Sequence, residues 1–275
     1  MEKVSRECGM MCITGIQGVG KTYQNLHTIK DYCKDKFYNK VKGRKVLIFD
    51  TNGEYTGQEF KKADINLAPK RLSLRDVGAF GRSASQEVRR IDASGIGLSD
   101  KKESIEYIIR HFRNGMLVLE DINTYILNMT HMAAVVGGLV NLRHRGVDVL
   151  ISYQSARPVE PRVWQNSRWV RMHYQADNVS DIKGKLPNAT LYKIAQILVN
   201  NRYFNGDQRF FVYIFSFQNK IEGKFTQDEF RTACKQYLNT NKKLIKEFQD
   251  MNGVSSSDAI EKCIDSYVKQ YYGNE

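Results

Sequence analysis

The segment 12–25, CITGIQGVGKTYQN, constrains this chain more than any other stretch of it. It contains GxxxxGK[ST], with Gly15 and Gly20 as the fixed glycines, Lys21 as the cation and Thr22 as the hydroxyl. That spacing is the pattern of a phosphate-gripping loop. The uncharged residues 10–14 read as a buried strand, and residues 21–33 continue as a helix, so strand, glycine loop and helix come in the required order. Glycines let backbone N–H groups turn inward around an anion, and the helix that follows adds its unpaired N–H groups and positive dipole end. A chance match in a glycine-rich turn is the competing explanation, and the flanking strand and helix argue against it. Lys21 then reaches the β- and γ-phosphates of a nucleotide and Thr22 ligates Mg²⁺. The candidate ATP-binding residues are Gly15, Gln17, Gly18, Val19, Gly20, Lys21, Thr22 and Tyr23.

Downstream, apolar strands alternate with helical stretches. Residues 45–49 form a compact strand that ends in Asp50 and a turn over Asn52 and Gly53. Residues 88–91, 116–119, the VDVLISY run at 147–153 and SRWVRMHYQ at 167–175 are further strands, with helices predicted over 101–113, 132–144 and 191–201. Such βα alternation implies an α/β fold with a mainly parallel sheet covered on both faces, and ligands beyond the carboxyl ends of its strands. The stretch 56–100 is polar and basic, and apart from 88–91 it shows no clear period. After a strand in RFFVYIFSF, two Lys-rich amphipathic helices are predicted over 225–249 and 257–271, separated by MNGVSSSD. The expected division is therefore an ATPase core over 1–222 and a small C-terminal helical element over 223–275.

One strand end carries chemistry of its own. LVL is followed directly by Glu120 and Asp121, and nucleotide hydrolysis needs one carboxylate on the Mg²⁺ shell and another to polarise the attacking water. By position Glu120 takes the metal role with Thr22, and Asp121 the base role. The order Glu-Asp reverses the usual one, which leaves the division of roles open. Gln154 follows LISY, where its side chain can touch the γ-phosphate or its water. A solvated acid pair and a surface glutamine at strand ends are the bland alternatives.

Composition narrows the partners. Lys and Arg number 42 against 30 Asp and Glu, a formal charge of +12, which points to a polyanion beyond the nucleotide unless it serves solubility alone. The five cysteines are scattered, with no CxxC pair, so neither a zinc site nor a disulfide framework is expected and a reducing compartment fits. The apolar runs 132–140 and 210–215 are too short to cross a bilayer, which takes about 20 residues. With no secretory leader apparent, a cytoplasmic protein without a membrane segment is expected.

Taken in order, GIQGVGKT, FDTNGEY, LVLEDIN, NLRHRGVDVLISYQS and RWVRMHYQADNVSDI resemble the FtsK/HerA superfamily of DNA-pumping ATPases over residues 9–217. The β-barrel or membrane helices that precede the motor in cellular members are not found before Gly15, so the resemblance is greatest to the compact viral genome-packaging ATPases. It implies a RecA-like P-loop NTPase, a homomeric ring (pentamer or hexamer), sequence-independent DNA binding and docking at a capsid portal or vertex. It also implies an arginine that completes the site of the neighbouring subunit. Arg143 matches that position best, Arg145 second and Arg171 third; solvated helix ends are the alternative for the first two. Lys70, Arg71, Arg82, Arg89 and Arg90 are the candidate pore-facing cations, with a solvated charged loop as the equal alternative. A Zot-like phage assembly ATPase and a non-motor nucleotide-binding regulator are the rival readings.

Overall fold

Uncharged, β-favouring residues bounded by glycines form the first strand, β1 (Met10–Thr14), and the helix α1 (Lys21–Cys33) starts at Lys21, both within the predicted limits. The computed structural model describes residues 7–35, 41–126, 129–252 and 255–274. The chain divides into two units, one of residues 1–13, 20–154 and 158–167, the other of residues 14–19, 155–157 and 168–275.

The first unit continues with β2 (Lys45–Asp50), α2 (Gly57–Lys62), β3 (Lys70–Arg71), α3 (Val77–Arg82), β4 (Val88–Asp92), α4 (Leu98–His111), β5 (Gly115–Leu119), α5 (Met129–Asn141), β6 (Val147–Tyr153) and α6 (Pro161–Asn166). Its strand order is β3-β4-β2-β5-β6-β1. The pairings β3/β4, β4/β2, β2/β5 and β5/β6 are all parallel. Val46, Ile48, Met116, Val118 and Leu150 pack with Leu26 and Ile29 of α1 and Phe60 of α2. The alternate residues Leu47, Phe49, Leu117 and Leu119 are equally buried, so both sheet faces are covered. Each such side chain removed from water contributes about 1.5–3 kcal/mol.

Register then decides what stands at the strand ends. Phe49 pairs with Leu119 and Leu119 with Ile151, so Asp50, Glu120 and Ser152 emerge side by side. Asp50 organises the turn that follows it. One carboxylate oxygen accepts from Glu54 N–H at 3.1 Å, and the other accepts from Tyr55 N–H at 3.1 Å and from the Arg90 guanidinium at 2.7 Å. In such a buried pair, removing one partner costs about 3–5 kcal/mol because the other charge is stranded.

The second unit holds β7 (Ser167–His173), α7 (Ala189–Phe204), β8 (Phe211–Phe215), β9 (Lys220–Gly223), α8 (Gln227–Asn239), α9 (Lys242–Asn252) and α10 (Ser256–Tyr271). β7, β8 and β9 pair in that order and antiparallel. α8 opens on a reciprocal cap between Thr226 and Glu229 and packs on α7 and α10. Two helices, not one, occupy the predicted 225–249 stretch. The amide of Asn241 and the hydroxyl of Thr240 both donate to the Tyr237 carbonyl at 2.8 Å, satisfying the end of α8 and turning the chain. In the predicted spacer, residues 253–254 lie outside the described residues, and Ser255 caps α10 by accepting from Asp258 N–H. Among the described residues no helix is long and apolar enough to cross a membrane.

Candidate active site

Positive φ values occur where the glycine loop needs them: +154° at Gly15, +85° at Gly18 and +85° at Gly20. A Cβ at Gly15 would stand 2.6 Å from His173 Cβ, so only glycine passes there. Within the second unit, Ile16 N–H donates to the Tyr174 carbonyl at 2.9 Å, and the His173 Nδ1 lies 3.2 Å from the Val19 carbonyl. Gln17 and Gly18 are exposed, and nothing would meet a Cβ built on Gly18 within 4 Å, which leaves the loop's turn open to a ligand. Gly20 is the N-cap of α1, whose own first turn carries no acidic residue. Lys21 is buried, whereas Tyr23 is 43% exposed and meets His27 edge-on.

In the first unit, α1 and the ends of β2, β5 and β6 bring together a polar cluster. The Thr22 hydroxyl donates to Glu54 at 2.8 Å and lies 3.5 Å from Glu120 Oε2. The other Glu120 oxygen accepts from the Asn25 amide at 2.7 Å and from the Tyr55 hydroxyl. Asn25 also reaches Ser152 at 3.3 Å, so this one amide bridges α1, β5 and β6. Burial pushes the Glu120 carboxyl up to about 7 against the opposing hydrogen bond from Tyr55, with Glu54 and Asp121 adding to the rise. Its ionised form is therefore short of compensating positive charge, and a divalent cation on Oε2 would supply it.

Among the described residues no three His, Cys, Asp or Glu side chains are placed to hold a metal on their own. Magnesium does not need such a cage; it takes one or two protein ligands and completes its octahedron from phosphate and water. A hydroxyl at Thr22 and a carboxylate at Glu120 fit that donor set.

Asp121 differs from its neighbour. It sits at φ +45°, ψ +44°, a left-handed conformation that non-glycine residues seldom adopt and that concentrates at functional positions. Its Oδ2 accepts from the Gln154 amide at 2.8 Å, while its Oδ1 is buried without a hydrogen-bond partner among the described residues. An orphaned carboxylate oxygen costs about 1–3 kcal/mol or more until something donates to it. Gln154 itself is exposed just beyond β6 and orients the acid.

The predicted cations separate. Arg143 is exposed, with its Nε 3.4 Å from His144. Arg145 is spent on its own unit, donating to the carbonyls of Ile109 and Arg110 at 2.7 and 2.8 Å, where it closes the end of α4. Arg171 is fully buried with its guanidinium over the Phe211 ring. Of the basic residues in 56–100, Arg90 is buried against Asp50 and Asp92, so it is not on a surface. Lys70, Arg71 and Arg82 are exposed; Lys70 and Arg89 meet Glu87, and Arg71 meets Asp92.

Sequence reasoning missed Glu54, Asn25 and Tyr55. The available signal was the turn NGEY at the end of β2, next to the strand that ends in Glu120. No family model matches the chain, and neither does any curated protein. Solved structures do. The genome packaging NTPase B204 from Sulfolobus turreted icosahedral virus 2 in complex with AMPPCP is 16% identical with a TM-score of 0.50, covering 79% of this chain and 97% of that one. Its complex with ATP-gammaS has a TM-score of 0.52 at 14% identity, covering 79% and 96%. B204, the DNA-packaging ATPase from Sulfolobus turreted icosahedral virus, has a TM-score of 0.50 at 17% identity, covering 79% and 97%. The chain thus has the α/β fold of a RecA-like P-loop NTPase, with a mostly parallel sheet, and is similar in fold to viral genome-packaging NTPases.

Proposed function

We propose that this chain is an ATP-driven DNA translocase that packages a viral genome into a preformed capsid. The observation that carries the reading is Asp121: a left-handed acid with one oxygen on Gln154 and the other buried with no partner among the described residues, next to Glu120 at the hydroxyl of Thr22. That is a base waiting for a water beside a metal-binding pair. Lys21 neutralises the β- and γ-phosphates, and Thr22 and Glu120 hold Mg²⁺. Such an ion would supply charge neutralisation to the phosphates. Gln154 and Asp121 align the attacking water; its oxygen bonds to the γ-phosphorus, its proton passes to Asp121 Oδ1, and the bond to the β–γ bridging oxygen breaks to leave ADP. Glu54 accepts from the Thr22 hydroxyl at 2.8 Å and would lie beside a cation held by Thr22 and Glu120.

In this reading the motor core runs over 1–222 and residues 223–275 form an appended helical element. The protein works in the cytoplasm and at the capsid vertex, as a pentameric or hexameric ring docked on a portal or vertex protein. The net charge of +12 supports a polyanionic track, and phosphate contacts are indifferent to sequence, as a pump for a whole genome requires. Of the three arginines considered for that role, Arg143 is the one left to act in a neighbour's site, because Arg145 and Arg171 are committed within their own chain.

The test is ATP turnover with and without DNA. Duplexes of unrelated sequence should stimulate it equally, and the DNA concentration needed should rise roughly tenfold or more as salt goes from about 50 to 200 mM. A nucleotide-dependent regulator would show no stimulation, and a sequence-reading protein would respond to one duplex only.

A further inference from the structure

The second unit carries an aromatic corner that the hydrolytic chemistry leaves unused. Tyr174 stacks on Tyr203 with centroids 3.7 Å apart and planes 8° apart. Phe204 stands across both, 5.5 Å from Tyr174 at 80° and 5.6 Å from Tyr203 at 87°. Phe204 is 71% exposed. A lone exposed phenylalanine is ordinary; one set on two stacked tyrosines at the wall of a phosphate loop is not. The link is Tyr174, whose carbonyl receives the Ile16 N–H and stands 3.2 Å from where a Cβ of Gly15 would be.

The backbone that carries the corner is closed by hydrogen bonds. Phe204 is the last residue of α7, and the chain leaves through Gly206 at φ +98°. Gly206 N–H donates to the Tyr203 carbonyl at 3.2 Å and Asp207 N–H to the Arg202 carbonyl at 3.0 Å, the bond pair that locks a helix end through a left-handed glycine. A ring already packed edge-on against two tyrosines loses less freedom than a free one when a ligand stacks on it.

We propose that Phe204, backed by Tyr174 and Tyr203, stacks the base of the nucleotide whose phosphates lie in the loop 15–20. The inference rests on the reading of that loop as a triphosphate site. Backbone N–H groups grip phosphate and ignore the base, so the base end needs its own contact. A π face accepts any purine, which gives affinity with little choice between adenine and guanine. The same ring could instead stack a base of single-stranded DNA, and the experiment separates the two.

Binding of ATP and of inorganic tripolyphosphate is measured by calorimetry on the full chain and on Phe204→Ala, with single-stranded DNA as a third ligand. Phe204→Ala should weaken ATP roughly 5- to 100-fold and leave tripolyphosphate unchanged. Phe204→Trp should restore ATP affinity and show tryptophan quenching by ATP but not by tripolyphosphate, which also answers any doubt about folding of the alanine variant. Unchanged ATP affinity in Phe204→Ala overturns the inference, as does equal loss of both phosphate ligands. Loss of DNA binding with ATP binding intact assigns the ring to nucleic acid and overturns it too. If the wild type binds neither ATP nor tripolyphosphate, the phosphate-loop reading itself fails and the inference falls with it. Binding of tripolyphosphate with no gain from the base leaves that reading standing and removes only the platform.

Discussion

Asp121→Asn is expected to bind ATP as the wild type does and to lose turnover by roughly 10²–10⁴-fold, the usual worth of a general base. Asparagine tolerates the left-handed backbone and can keep its bond to Gln154 by reversing its amide, so the geometry survives while the proton acceptor is gone. Lys21→Ala is expected to lose about 10²–10³-fold or more, because the cation that neutralises the β- and γ-phosphates is removed, and to weaken ATP binding as well. Glu120→Gln separates the two acids. Losing the metal-side carboxylate should make turnover recover partly at raised Mg²⁺, whereas Asp121→Asn should not respond to Mg²⁺ at any concentration. If Asp121→Asn turned over normally while Glu120→Gln was dead at every Mg²⁺ level, the two roles would have to be exchanged.

Arg143→Ala should lose roughly 10³–10⁵-fold in turnover with ATP affinity retained, the scale of an arginine supplied to a phosphoryl-transfer site. Arg143 is exposed beyond α5, which is where a group serving another chain has to be. The decisive form of the experiment mixes two dead proteins. A chain with Arg143→Ala still carries Asp121, and a chain with Asp121→Asn still carries Arg143, so a mixed interface of the right polarity contains both. Turnover plotted against mixing ratio should be near zero at the ends and peak between them. Arg145→Ala should leave turnover nearly unchanged and cost stability instead, since its guanidinium holds the carbonyls at the end of α4. Wild-type activity in pure Arg143→Ala would reduce that residue to a solvated helix end.

Local signals made much of this fold legible. β1 and α1 are readable to the residue because uncharged strand, glycine loop and polar helix follow one another as the phosphate loop demands. The six-residue helices α2 and α3 were not, because barely two turns cannot show a period against the polar background of 56–82. The site divides along the same line. Glu120, Asp121 and Gln154 stand at the ends of apolar strands, and that much is visible in one dimension. Glu54, Asn25 and Tyr55 join them only because Phe49 pairs with Leu119 and because Asp50 draws Glu54 and Tyr55 back through their backbone N–H groups. Arg90 shows the converse. It read as a surface cation in a basic stretch, but parallel pairing sets β4 beside β2, and its charge is absorbed by Asp50 and Asp92.

The most direct measurement is mechanical. A duplex carrying a triplex-forming third strand is incubated with wild-type protein, and release of the third strand is followed after ATP is added. ATP-driven translocation predicts release that requires hydrolysable ATP, proceeds on duplexes of any flanking sequence, and is absent with Asp121→Asn. Steady ATP hydrolysis on the same DNA with the third strand left in place, or equal release by Asp121→Asn or without ATP, would contradict the account.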